Sequence, residues 1–192
     1  MSRALLAALA VLSATGCDRA AKPAPQPTDA PAEAPAPAPS PVSAPAIATI
    51  LAPEGQFDAI SNTAMSITGD LTAAAGALTF SQGQDYGLSG VAIGKASDTY
   101  ADTKASFSSL INVPDAGEIR VFKVTKEEKG KARNGGLCGA DATTHVVTHE
   151  GVDSAGGPAL FVIAFKGAAP PSATSPEADL CGTYMYAPKA AG

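Results

Sequence analysis

The chain has 192 residues, a net charge of −5 and a pI near 4.9, which excludes a nucleic-acid binder relying on a basic face. Nine of its 16 prolines lie between Pro23 and Pro45, so the composition averages a low-complexity tract with a more ordinary domain. One domain of ordinary size plus appendages is what the length allows.

Met1-Ser2-Arg3 is a short basic start, Ala4 to Leu12 is unbroken apolar sequence, and Ser13 to Gly16 are small residues. This is the order of an export signal: charge, apolar core, small-residue cleavage region. The apolar run is too short to cross about 30 Å of hydrocarbon at about 1.5 Å per residue. Residues 1–16 are therefore expected to be a signal peptide.

Ala14-Thr15-Gly16-Cys17 resembles the lipobox of bacterial lipoproteins. That resemblance implies a diacylglyceryl group on Cys17, which becomes the new N-terminus after cleavage. Several acyl chains, at about 0.8 kcal/mol per buried CH₂, would anchor the chain stably. Export to the cell envelope, facing the periplasm of a Gram-negative bacterium, is the implied location. Asp18 resembles the inner-membrane retention signal of enteric lipoproteins.

Arg19 to Ala46 holds nine prolines and ten alanines. Proline lacks the N–H donor and pushes the preceding residue to extended geometry, so no helix forms. With no large apolar residue before Val42, no core can form either. Residues 17–46 are expected to be a lipidated Cys followed by a disordered, polyproline-like tether.

Residues 47–192 carry short apolar runs broken by Gly, Asp and Asn. Gln56 to Thr63 is expected to make a helical turn. Met65, Ile67 and Gly69 alternate with polar residues, the pattern of a half-buried strand. Leu78 to Phe80 and Tyr86 to Ile93 are strands around a turn. Ser97 to Asn112 predicts one or two helical turns capped by Ser97 and ending before Pro114. Glu118 to Glu127 and Thr143 to Thr148 read as strands. Ala159 to Phe165 is apolar on both faces, as for a central strand. Ala168 to Asp179 is a surface loop, and Leu180 to Tyr186 is the last strand. The domain is expected to be mainly β: a small antiparallel sheet, barrel or sandwich with one or two short helices.

Cys138 and Cys181 each sit in a Leu-Cys-Gly phrase and remain an even pair once Cys17 is set aside. In an oxidising compartment they are expected to form one structural disulfide. No Cys-x-x-Cys is present, and a zinc site would need two more ligands.

His145 and His149 lie in strand-forming sequence, where residues four apart stand about 13 Å apart and cannot share a metal. No Gly-x-Ser-x-Gly elbow occurs, and no two carboxylates are paired by spacing. No catalytic residue, metal ligand or cofactor is assigned. Arg120, Lys123, Lys126, Lys129, Lys131 and Arg133 set six cations against three carboxylates within residues 118–133. The rest of residues 47–192 has four cations against twelve carboxylates. These six are the candidate binding surface, suited to an anionic partner. Asn134 to Gly139 holds three glycines, permitting positive φ in a tight turn that delivers Cys138 to its partner.

The expected function is a lipid-anchored envelope protein with a non-catalytic, binding or inhibitor-like β domain. An envelope protein or an anionic envelope polymer is the expected partner. The alternatives are a structural or assembly accessory and a hydrolase. The layout is similar to that of small lipoprotein β-barrels that inhibit lysozymes, though their motifs are absent.

Overall fold

The computed structural model describes Ile50 and residues 52–190. The export signal, Cys17 and the Pro/Ala tract lie outside the described residues. In chain order the elements are β1 (Gly55–Ala59), α1 (Asn62–Ile67), β2 (Leu71–Ala74), β3 (Ala77–Phe80), β4 (Asp85–Lys95), α2 (Phe107–Ile111), β5 (Glu118–Glu128), β6 (His145–Val152), β7 (Pro158–Phe165) and β8 (Leu180–Pro188). Each strand pairs antiparallel with the next, and β8 closes back on β1, where Phe57 faces Pro188. The domain is thus a closed up-and-down barrel, which selects one of the three expected β architectures.

An eight-stranded barrel is just wide enough for side chains to fill. Here Phe57, Leu71, Leu78, Phe80, Tyr86, Val146, Leu160, Val162, Tyr184 and Tyr186 fill it, all buried. A second apolar cluster lies outside the barrel wall. The excursion between β4 and β5, carrying α2, lays Ala96, Tyr100, Phe107 and Ile111 on the outer face of β5 to β7. The unbroken apolar run of β7 follows from this. Leu160, Val162 and Ala164 face the barrel core, while Ala159, Phe161, Ile163 and Phe165 face the outer layer. Alternation is lost because both faces are covered, the circumstance that makes a strand apolar throughout.

Two local expectations are corrected. Met65 to Gly69 is not strand, because Asn62–Ile67 forms a helix whose N-cap Ser61 accepts from the Ala64 N–H. Gly69, at φ +66°, receives the chain after the helix and donates its N–H back to the Ala64 carbonyl. Gln56 to Thr63 accordingly divides between β1 and the start of α1 rather than making one turn. In the second stretch only Phe107–Ile111 is helical, capped by Ser106 rather than Ser97. Ser97 is drawn into a turn in which Asp98 Oδ2 accepts the Lys95 N–H, and Thr99 bridges to Ser106. The helix ends on Asn112 in the left-handed region, before Pro114. Strand β2 has no counterpart in the sequence reading: Leu71–Ala74 is too short and alanine-rich to signal a strand on its own.

Candidate functional site: one stoppered end and one open mouth

The barrel has two unlike ends. At one, the segment between β5 and β6 folds inward as a stopper. Leu137 is buried, and its N–H donates to the Tyr86 hydroxyl oxygen at 2.7 Å. Its carbonyl accepts from the Tyr184 hydroxyl at 2.6 Å. Both tyrosines rise from the barrel core, so the polar groups of the stopper are satisfied from beneath. Tyr186 shares a hydrogen bond of 2.7 Å with the Thr68 hydroxyl at the same end. Burial pushes the Tyr86 and Tyr184 phenols up to about 12, and Tyr186 is raised by burial as well.

The Asn134 to Gly139 phrase builds this stopper. Gly135 and Gly139 take positive φ, at +77° and +63°. Gly136 serves differently: a Cβ there would stand 2.6 Å from Glu127 Oε1 and 2.7 Å from the Tyr86 hydroxyl. Lys129 Nζ donates to three carbonyls, those of Gly139, Ala140 and Asp141, at 3.0, 2.8 and 2.7 Å. Cys138 is bonded to Cys181 at a Cα–Cα distance of 4.9 Å, fixing the stopper to the start of β8. The disulfide joins the two Leu-Cys-Gly phrases as the sequence implied.

The two histidines point outward from β6, away from the barrel core. His149 Nδ1 lies 2.7 Å from the Glu118 carbonyl, to which it donates, and its ring packs on Phe161 with centroids 5.8 Å apart. Gly117 and Gly151 leave room for that ring, since a Cβ at either would come within 2.7 Å of it. His145 Nδ1 meets the Thr144 hydroxyl at 3.1 Å, and burial holds its pKa below the ordinary value. Among the described residues neither imidazole touches a serine hydroxyl or a carboxylate.

The six basic residues are spread along β5 and the loop behind it. Arg120 stands at the open end of the barrel. Lys129, at the stoppered end, lies nine residues away, about 30 Å at strand rise. Lys126 pairs with Glu128 at 2.8 Å, and Lys129 is taken up by carbonyls. Lys123, Lys131 and Arg133 are exposed.

At the open end β4, β5 and β6 run on past the short β2–β3 hairpin. Ile50 and residues 52–54, ahead of β1, lie across this mouth as a strap. Ile50 lies against Gly90, whose missing Cβ leaves space for it, and Pro53 is buried. Pro53 and Glu54 line two clefts, one on either side. The larger, about 660 Å³, is walled by Phe57, Val152, Pro158, Leu160 and Pro188. The smaller, about 440 Å³, is walled by Ile50, Ile93, Glu118 and Arg120. Glu150 borders both.

Arg120 lies in this mouth and is bridged by two carboxylates. Its Nε donates to Glu118 Oε1 at 3.0 Å and its Nη1 to Glu150 Oε1 at 2.8 Å. Glu118 and Arg120 are two apart on one strand and so share a face. Arg120 pairs directly with Thr148, which sets Glu150 on the diagonal. The carboxylates are more than half exposed, so each pair contributes about 0–1 kcal/mol to stability.

Of the six basic residues, then, one is in the mouth. The carboxylates that accompany it were not legible as a site. The Glu-x-Arg spacing could have signalled a same-face pair, but Glu150 joins only through the β5–β6 register. Compared with known protein families, with characterised proteins and with solved structures, the chain matches none.

Proposed function

We propose that this chain is a lipid-anchored cell-envelope protein whose barrel domain binds a partner without catalysis, through its open mouth. The observation that carries the reading is the contrast between the two ends. The interior is filled by side chains and one end is stoppered by Leu137, so no ligand enters the barrel as in a carrier. The opposite end presents the two larger clefts, about 660 and 440 Å³ against about 360 Å³ beside Cys138 at the stoppered end, with apolar walls and a few placed charges. The lipobox-like Ala14-Thr15-Gly16-Cys17 and the Pro/Ala tract supply the anchor and the reach of this reading.

The partner is an envelope protein rather than an anionic polymer. The expectation of an anionic partner came from six cations near in sequence, which the fold distributes over both ends. The mouth itself holds three carboxylates, those of Glu54, Glu118 and Glu150, and an anion would meet them first.

Two measurements test the reading. Cys17→Ala is expected to leave the chain unprocessed or free of the membrane fraction, and labelled fatty acid incorporated equally by the variant removes the anchor. Crosslinking in intact envelopes, followed by purification, is expected to retain a partner with the natural chain. Val152→Trp, at the exposed rim of the larger cleft, is expected to lose most of it. Equal yield from both chains places the binding surface elsewhere.

A further inference from the structure

We infer that the Cys138–Cys181 bridge is a redox-sensitive latch: a dithiol opens it in the folded chain, and its opening frees the Leu137 stopper while the barrel stays closed. The latch stands apart from the open mouth and does not depend on what binds there. Plug and latch are neighbours on one tip. Leu137 and Cys138 are the two central residues of a turn closed by Gly136 and Gly139, whose backbones exchange two hydrogen bonds of 2.9 Å. Leu137 is buried at the barrel end, and Cys138 beside it carries the bond to Cys181. A change at the sulfur therefore acts directly on the plug. Gly135 and Gly139 flank the tip at positive φ and give it hinge positions. Residues 129–144 belong to no strand, so lifting the tip breaks no barrel ladder.

The other half of the latch sits on a β-bulge. Phe165 pairs with Leu180 and Ala164 with Gly182, so Cys181 is the extra residue, without a register partner on β7. Counted back from Tyr184, which faces the barrel core, plain alternation would turn Cys181 outward. The bulge instead packs Cys181 against the barrel-side cluster with Cys138 and gives Leu180 to the outer layer. Both cysteines are half-buried and line one cleft of about 360 Å³, which also reaches Leu137 and Tyr184. A small thiol reaches the sulfurs through this cleft, whereas a bridge sealed in a core would wait for unfolding. One thiolate of the dithiol attacks one sulfur, the S–S bond breaks, and the other cysteine leaves as a thiolate that takes up a proton. The second thiol of the reagent then displaces the first cysteine from the mixed disulfide. The dithiol ends as a disulfide and Cys138 and Cys181 as two thiols, with two electrons and two protons transferred. The stopper is then held by non-covalent bonds alone, and its opening is local rather than global.

The test treats the full exported chain, in detergent and native buffer, with dithiothreitol and reads free thiols by alkylation and mass spectrometry. The reduction rate is expected to rise in proportion to dithiothreitol and to be unchanged by urea well below the unfolding transition. A rate that levels off with dithiothreitol, or that such urea raises severalfold, means that the bridge opens only through global unfolding and overturns the latch. Hydrogen exchange is then followed with the reduced chain kept in dithiothreitol. The amides of Leu137 and Cys138 are expected to exchange at least about tenfold faster than in the oxidised chain, while β6 and β7 keep their protection. Unchanged exchange at Leu137 shows that the bridge does not hold the stopper. Loss of β circular dichroism on reduction shows that it holds the whole barrel. Either result overturns the latch. The Cys138→Ser/Cys181→Ser chain, where it folds, is expected to reproduce the local pattern without reductant, and oxidised-like protection of its Leu137 amide overturns the latch as well.

Discussion

Three of the chain's four tyrosines stand inside the barrel, and their hydroxyls do the polar work of the stoppered end. The fourth, Tyr100, is buried in the outer layer, and all four phenols are raised above the ordinary 10.0. A raised folded pKa means the neutral phenol is favoured by folding. The associated stability is fully present below pH about 10 and is lost as pH rises toward the folded values. The folded chain is expected to show little tyrosinate absorbance at the ordinary phenol pKa, then a cooperative rise that coincides with loss of β circular dichroism. With no tryptophan in the chain, the spectral change belongs to tyrosine alone. Independent, gradual ionisation with the fold intact would contradict the burial argument.

His145 behaves in the opposite sense. Burial lowers its pKa from 6.5, the backbone bond to Gly167 only partly opposing the shift. The unfolded chain then binds the proton more readily than the folded one. The contribution is complete above about pH 6.5 and is lost as pH falls through the folded value. His145→Gln is expected to flatten the fall in melting temperature as pH drops below about 6.5, read as the difference from the natural chain. Parallel curves would show that the imidazole titrates alike in the folded and unfolded states, against the burial argument.

At the scale of elements, the stopper is held by four different means: the disulfide, the two tyrosine hydrogen bonds, the Lys129 ammonium on three of its carbonyls and the burial of Leu137. Leu137→Ala is expected to cost about 2–5 kcal/mol through the cavity it leaves. Replacing both Cys138 and Cys181 by Ser should cost about 2–4 kcal/mol by freeing the unfolded chain. Because Leu137 adjoins Cys138, the two losses should not add. Denaturant melts of the two variants and their combination are expected to show a smaller loss than the sum, since a released stopper no longer places Leu137. Full additivity would mean that Leu137 stays seated without the bridge.

The short helices were the hardest elements to read, for a physical reason. In α1 only Ala64 is buried, so the helix leaves almost no apolar periodicity, and Met65 is 51% exposed. Its apolar residues alternate by chance, which mimics a strand. What makes it a helix is capping by Ser61, whose hydroxyl also accepts the Met185 N–H from β8. That second bond is tertiary, and no local pattern carries it. The long strands β5 and β7 were legible because each is long enough for its own pattern, alternating in β5 and apolar throughout in β7.

At the scale of the whole molecule, closure decides what the domain can offer a partner. A sandwich or open sheet of the same strands would leave an apolar face or an edge pair for binding. Closing β8 onto β1 removes one pair of edges and fills the interior. The surplus length of β4, β5 and β6 beyond the β2–β3 hairpin leaves a concave mouth at one end. The mouth's charge cluster was half visible: Glu118 and Arg120 lie two apart in sequence, whereas Glu150 and Glu54 are brought to them by register and by the strap.

By itself the sequence determined the β-rich class, the order of the longer strands, the doubly covered β7 and the pairing of Cys138 with Cys181. Each of these follows from a local pattern or from counting, because side-chain alternation and cysteine parity act without knowledge of distant residues. Only the tertiary structure decided that the sheet closes, that Leu137 seals one end, and that the basic stretch is divided between the two ends. These depend on strand register and on contacts between residues far apart in the chain, such as Tyr184 with Leu137 and Arg120 with Glu150, and no local window contains both partners.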